Sequence, residues 1–179
     1  MQTELTRDKG TIPAGMKRML LETAIERVRE DHAALKRELH QLYEQTCAVR
    51  TEREPIRLNR ELRRLNETVK RFLAAWRDHV RWEEDELLPY AAWYLGEEPD
   101  LFSYMEQEYE LADHYLQAFL IELDRSAVPV AGEDAYRMAS YLIQAYAFLF
   151  NRLEEEEEIV DALPRCDQLY IQRRQTPPY

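Results

Sequence analysis

The chain has 179 residues, enough for one domain with a full hydrophobic core. A formal net charge of −11 argues against a nucleic-acid partner, which needs a basic stripe, and against an anionic membrane surface. Hydrophobic residues make up 45% but glycine occurs only 4 times, a balance that predicts an all-helical protein rather than a sheet.

Residues 1–15 read as an N-terminal arm, because Gly10, Pro13 and Gly15 interrupt any helix there. The polar, mixed-charge start is unlike a signal peptide, and the longest apolar run, Ala145 to Phe150, is far too short to span a bilayer; the cytoplasm is the expected compartment. A first helix is predicted from Met16 to Arg50, with the apolar stripe Leu21, Ile25, Val28, His32, Leu35, Leu39 and Leu42. His32 lies on that stripe and His40 lies off it.

Pro55 suits the first turn of a second helix, which runs to Pro89. Its seam alternates steps of four and three through Leu58, Leu62, Leu65, Val69, Phe72, Trp76, His79 and Glu83. His79 and Glu83 thus stand one above the other where Leu or Ile is expected. A buried carboxylate is expensive unless it is paired or bound to a metal. Pro89 to Pro99 reads as a connector, and Tyr90, Trp93 and Tyr94 within it as a potential contact surface.

The third helix is predicted from Pro99 or Asp100 to Arg125 with the inward face Tyr104, Gln107, Leu111, His114, Ala118 and Ile121, and with Glu110 one turn before His114. A turn containing Pro129 and Gly132 leads to a fourth helix from Asp134, ending near Pro164. Its predicted face is Met138, Tyr141, Gln144, Phe148, Asn151, Glu155, Ile159 and Ala162. Residues 166–179 read as a polar, partly extended tail. Four long helices with short connectors over residues 16–165 predict an up-down-up-down four-helix bundle.

Three of the four histidines recur in the pairs Asp31-His32, Asp78-His79 and Asp113-His114, each on a different predicted stripe. At 1.5 Å per residue, His32 and His114 lie roughly 24 Å from the starts of their helices and His79 roughly 15 Å from the end of its own, similar depths in an antiparallel bundle. Asn151, Glu155 and Glu156 fall in the same layer on the fourth helix. Mixed His and carboxylate donors suit iron, manganese or zinc. The acidic run Glu154 to Glu158 sits near a helix C-terminus, where the dipole disfavours negative charge; Arg152 and Arg165 would compensate part of it and a bound cation more. No His has a Glu three residues before it, as ferritin-like di-iron oxidases require, and neither cysteine, Cys47 or Cys166, stands in a nucleophile or disulfide pattern.

The run His79-x-x-x-Glu83-Glu84 followed by Leu87-Leu88-Pro89 resembles the second-helix motif of hemerythrin-like (HHE cation-binding) domains. Arg29-Glu30-Asp31-His32 resembles the first-helix motif, Leu111-Ala112-Asp113-His114 the third, and Asn151-Arg152-Leu153-Glu154-Glu155-Glu156 the fourth. The resemblance covers roughly residues 16 to 165 and implies a bundle around a non-haem di-iron centre that binds or senses dioxygen or a related diatomic. It carries over His32, His79, Glu83 and His114 as ligands, with Glu155 as the fourth-helix carboxylate and Glu156 its alternative. A second register would place Glu154 and Glu158 at the site. The chain departs from the family pattern at Asn151, where the fourth helix should offer His, and at Glu110, where some members have a second His on the third helix. These departures leave a second expectation open: a bundle that has lost its metal and serves as an interaction module.

Overall fold

A computed structural model describes residues 14–89 and 100–175. Among them are four helices and no strand: α1 (Ala14–Thr51), α2 (Pro55–Trp82), α3 (Asp100–Arg125) and α4 (Gly132–Gln175). The backbone of α2 continues into a single π-helical stretch, Glu83–Leu87. Three residues, Glu52 to Glu54, join α1 to α2, and six, Ser126 to Ala131, join α3 to α4, so each of these pairs runs antiparallel. α4 packs against both α3 and α1, and α1 packs in turn on α2. No described helix is long and apolar enough to cross a membrane.

Local sequence sets the start of α2. Glu54 has extended backbone and its carboxylate accepts from the backbone N–H groups of Ile56 and Arg57, satisfying two donors that the first turn leaves open. Pro55 takes the first helical position, where its missing N–H costs nothing. One turn on, Asn59 ties this end of the bundle together. Its side-chain amide donates to the Val130 carbonyl at 3.2 Å and accepts from the Val130 N–H at 2.8 Å. Asn59→Ala would leave both buried backbone groups without partners, so it should lower stability by about 2 kcal/mol, read as a shift in the urea midpoint at unchanged slope.

The predicted stripes of α1 and α2 are the buried faces of those helices, from Leu21 to Leu42 and from Leu58 to Glu83. Those predicted for α3 and α4 are rotated. Leu111, His114 and Ile121 are exposed, and α3 instead buries Ala112, Leu116 and Phe119. On α4, Gln144 and Asn151 are exposed, and the buried line runs Met138, Leu142, Ala145, Leu149, Arg152, Glu156, Val160, Leu163. On α4 the expected face included Tyr141 and Phe148, which here lie at the margin of the core and stack on Tyr115 of α3 at 6.5 and 6.1 Å, all three half-buried. Small residues such as Ala112, Ala135, Ala139 and Ala145 line the inward faces, and small side chains let backbones approach.

The helix also does not stop at Pro164 but continues to Gln175, so the backbone of most of the expected tail is helical. An interior proline deletes one backbone bond and can be carried through a helix without ending it. The N-terminal arm up to Pro13, the aromatic connector at Tyr90, Trp93 and Tyr94, and the tail beyond Gln175 lie outside the described residues.

The buried apolar residues fall into two clusters of unequal size. The larger runs from Val49 and Leu58 up to Leu35, Val80 and Leu153. The smaller holds Leu21, Ala24, Ile25, Val28, Leu87, Val160 and Leu163, with Trp82 packed against it. His32 lies between Val28 and Leu35, Glu83 between Val80 and Leu87, and Glu156 between Leu153 and Val160, so a polar layer separates the two clusters.

Candidate metal centre

Four ionisable side chains from four helical segments converge in this layer: His32 of α1, His79 of α2, Glu83 at the start of the π-helical stretch and Glu156 of α4. All four are buried, and one donor atom from each lies within 4.8 Å of the others. The two imidazoles meet edge to face with Nε2 atoms 3.1 Å apart. Glu83 Oε1 is 3.1 Å from His79 Nε2, and Glu156 Oε2 is 3.2 Å from His32 Nε2. The cross distances are 3.6 Å (His32 to Glu83) and 4.0 Å (His79 to Glu156).

These positions follow from the sequence. His79 and Glu83 are one turn apart on the α2 seam, and the Leu88 N–H then bonds to the Glu83 carbonyl across five residues. The wider turn lets Glu83 and Leu87 both face inward, with Glu84, Asp85 and Glu86 exposed between them. On α4 the stripe through Leu149 and Leu153 carries Glu156 inward, leaving Glu155 at the flank.

Each imidazole turns its other nitrogen toward a further carboxylate. His79 Nδ1 lies 3.6 Å from Asp31 Oδ2, and His32 Nδ1 lies 3.8 Å from Glu157 Oε1. These separations exceed a direct hydrogen bond but favour a proton on each Nδ1, which leaves both Nε2 lone pairs facing the cluster. Asp31 is steadied by Arg27 at 3.6 Å and Glu157 by Lys36 at 2.8 Å. A recess of about 230 Å³ on the α1/α2 side reaches Asp31, Asp78 and His79.

Behind the carboxylates lies Arg152, also buried. Its Nε donates to Glu156 Oε1 at 2.5 Å and its Nη2 to Glu83 Oε2 at 3.4 Å. The guanidinium lies over the rings of Trp76 and Tyr109, with centroid distances of 5.5 and 5.6 Å.

The charges are strongly coupled. Burial pulls the His79 imidazole down, but the facing carboxylates of Glu156 and Glu83 outweigh it and raise the ring to about 10. Burial opposes the charge on His32 as well, and the same two carboxylates again win, raising it against repulsion from His79. Burial alone would raise Glu156; His32, His79 and Arg152 hold it far below the ordinary carboxylate range. Without a metal the cluster therefore holds protons on imidazole to balance its carboxylates.

A family model described as the hemerythrin HHE cation binding domain matches residues 23–163. The chain belongs to this family. No curated protein and no solved structure matches it.

The HHE family implies a bound cation, and the donor set fits one. Glu83 Oε1 and Glu156 Oε2 are buried and face the imidazole Nε2 atoms, with no other hydrogen-bond donor on them among the described residues. With metal–donor bonds of about 2.1 Å, neighbouring donors around one ion lie roughly 3.0–3.4 Å apart and opposite ones about 4.2 Å apart. The five separations that involve an imidazole, 3.1 to 4.0 Å, fall within that span. Two imidazoles and two carboxylates also form the mixed donor set that suits a first-row transition metal.

Of the residues expected at an HHE centre from the sequence, His32, His79 and Glu83 are brought together, with Glu156, the stated alternative, in place of Glu155. His114 and Glu110 are exposed on α3, outside the cluster. Asn151 is exposed and donates to Glu108 and Glu155 at 2.9 and 3.1 Å, so the missing histidine there leaves no gap in the cluster. Of the Asp-His pairs, Asp31 serves the neighbouring helix's His79, and Asp113 pairs with Arg77 at 2.8 Å. Sequence reasoning gave Arg152 as a partial counter-charge to the acidic run but did not place it in the cluster; its signal was an arginine on a largely apolar stripe, four residues before Glu156.

Proposed function

We propose that the protein binds iron through His32, His79, Glu83 and Glu156 and uses it to bind or sense dioxygen or a related diatomic. The carrying observation is the convergence of these four buried side chains, with donor atoms within 4.8 Å of one another, in a cation-binding family. Iron bound there would supply a redox-active centre with affinity for small diatomics. The chain's own residues do the rest. Neutral His32 and His79 donate through Nε2, with Asp31 and Glu157 orienting the rings. Arg152 fixes both carboxylates, and the apolar clusters on either side exclude bulk water. Manganese and zinc suit the same donors and are the competitors to test.

The reading of a metal-free interaction module was motivated by Asn151, which is exposed and away from the cluster. Metal analysis after expression in iron-replete medium tests the proposal. The expected result is iron retained through desalting, and a change in the visible spectrum when the anaerobic Fe(II) protein meets dioxygen or nitric oxide. Protein that arrives without metal and takes up none on anaerobic Fe(II) addition defeats it. Tight iron binding with no spectral response to either gas would retain the metal site and remove the diatomic role.

A further inference from the structure

We infer that this centre holds one divalent cation and that the Arg152 guanidinium occupies the place of a second. The inference rests on the metal-binding reading above and departs from a di-metal centre. Its first support is how the carboxylate oxygens are divided. Glu83 points Oε1 at His79 and Oε2 at Arg152; Glu156 points Oε2 at His32 and Oε1 at Arg152. Each carboxylate therefore bridges an imidazole-lined pole and a guanidinium, as it would bridge two cations.

The second support is sequence symmetry. His79 and Glu83 stand four apart on α2, and Arg152 and Glu156 stand four apart on α4. The first pair joins its carboxylate to an imidazole donor, the second to a permanent cation. Arginine cannot give up its proton to become a ligand. The guanidinium is held by both carboxylates and by the faces of Trp76 and Tyr109. Among the described residues no further imidazole reaches that pole, since His114 and His40 are exposed.

Charge balance points the same way. The two buried carboxylates carry two negative charges against three positive for one divalent ion plus Arg152, and against five for two ions. Uncompensated buried charge of that size is strongly disfavoured.

The test loads metal-free full-length protein anaerobically with Fe(II), and separately with Mn(II), and measures the metal-to-chain ratio after desalting. The expected ratio is about one, because the guanidinium fills the second pole that the two carboxylates bridge. A ratio near two for the wild type overturns the inference and leaves the metal-binding reading intact; no tight binding of either ion overturns that reading and this inference with it. In the Mn(II) form, an uncoupled electron paramagnetic resonance signal accounting for all bound metal is expected, and a spin-coupled spectrum is the contrary result. With excess Mn(II), folded Arg152→Ala should rise from about one toward two ions per chain while Arg152→Lys stays at one, since only the alanine removes the competing charge. A folded Arg152→Ala protein that remains at one overturns the role given to the guanidinium. Should that variant not fold, the wild-type ratio and spin count decide.

Discussion

Glu156→Ala should destabilise the metal-free protein by about 3–5 kcal/mol and abolish tight metal binding, while Glu155→Ala changes each far less. Glu156 is 2% exposed and serves two partners at once, facing His32 through one oxygen and Arg152 through the other. Its removal takes from the buried guanidinium its shorter carboxylate contact and from the cluster one of four donors. Glu155 is half-buried and, among the described residues, accepts from the exposed Asn151. Urea denaturation of the metal-free variants gives the first quantity and metal content after desalting gives the second. Equal losses in the two variants would mean that the register of α4 differs from the one described.

The histidines should separate as sharply. His79→Ala and His32→Ala each remove an Nε2 donor, and a lost ligand should lower metal affinity well beyond the roughly 10–100-fold that follows loss of a supporting carboxylate. His114→Ala should leave affinity unchanged, because His114 lies exposed on α3. Competition against a chelator of known affinity reads all three. A large loss at His114 would show that α3 contributes a donor; an unaffected His79 variant would detach the α2 motif from the metal.

The sequence was most legible where size and polarity agree. The α1 and α2 stripes are built of Leu, Ile, Val and Phe at regular steps, so His32, His79 and Glu83 stood out as polar residues at core positions. The faces of α3 and α4 were less legible because they divide the two signals. Tyr141, Phe148 and Leu111 are large but lie at the flank or surface, while Ala112, Ala139 and Ala145 are small and lie at the centre. On α4 following Tyr141 and Phe148 rotated the expected face, which brought Asn151 inward and put Glu155 where Glu156 stands; on α3 the expected face turned His114 inward and passed over the buried Leu116 and Phe119. Arg152 was legible only as a counter-charge to the acidic run, because a long basic side chain on a helix is ordinarily read as solvated. Its burial depends on Trp76, Tyr109, Glu83 and Glu156, contributed by three other segments and by its own helix, and no local pattern contains that combination.

The unequal division of the core also sets a timescale. An ion seated in the polar layer has the larger apolar cluster on one side and the smaller one, from Leu21 to Leu163, on the other. Openings of a folded chain range in free energy from nearly nothing at loose ends to the full cost of unfolding, and the shallower packing is the cheaper to part. The lifetime of a bound ion is then governed by how often that smaller end breathes. Substitutions at Val28, Leu87 or Val160, none of which is among the four donors, would change the rate of exchange before they changed the affinity.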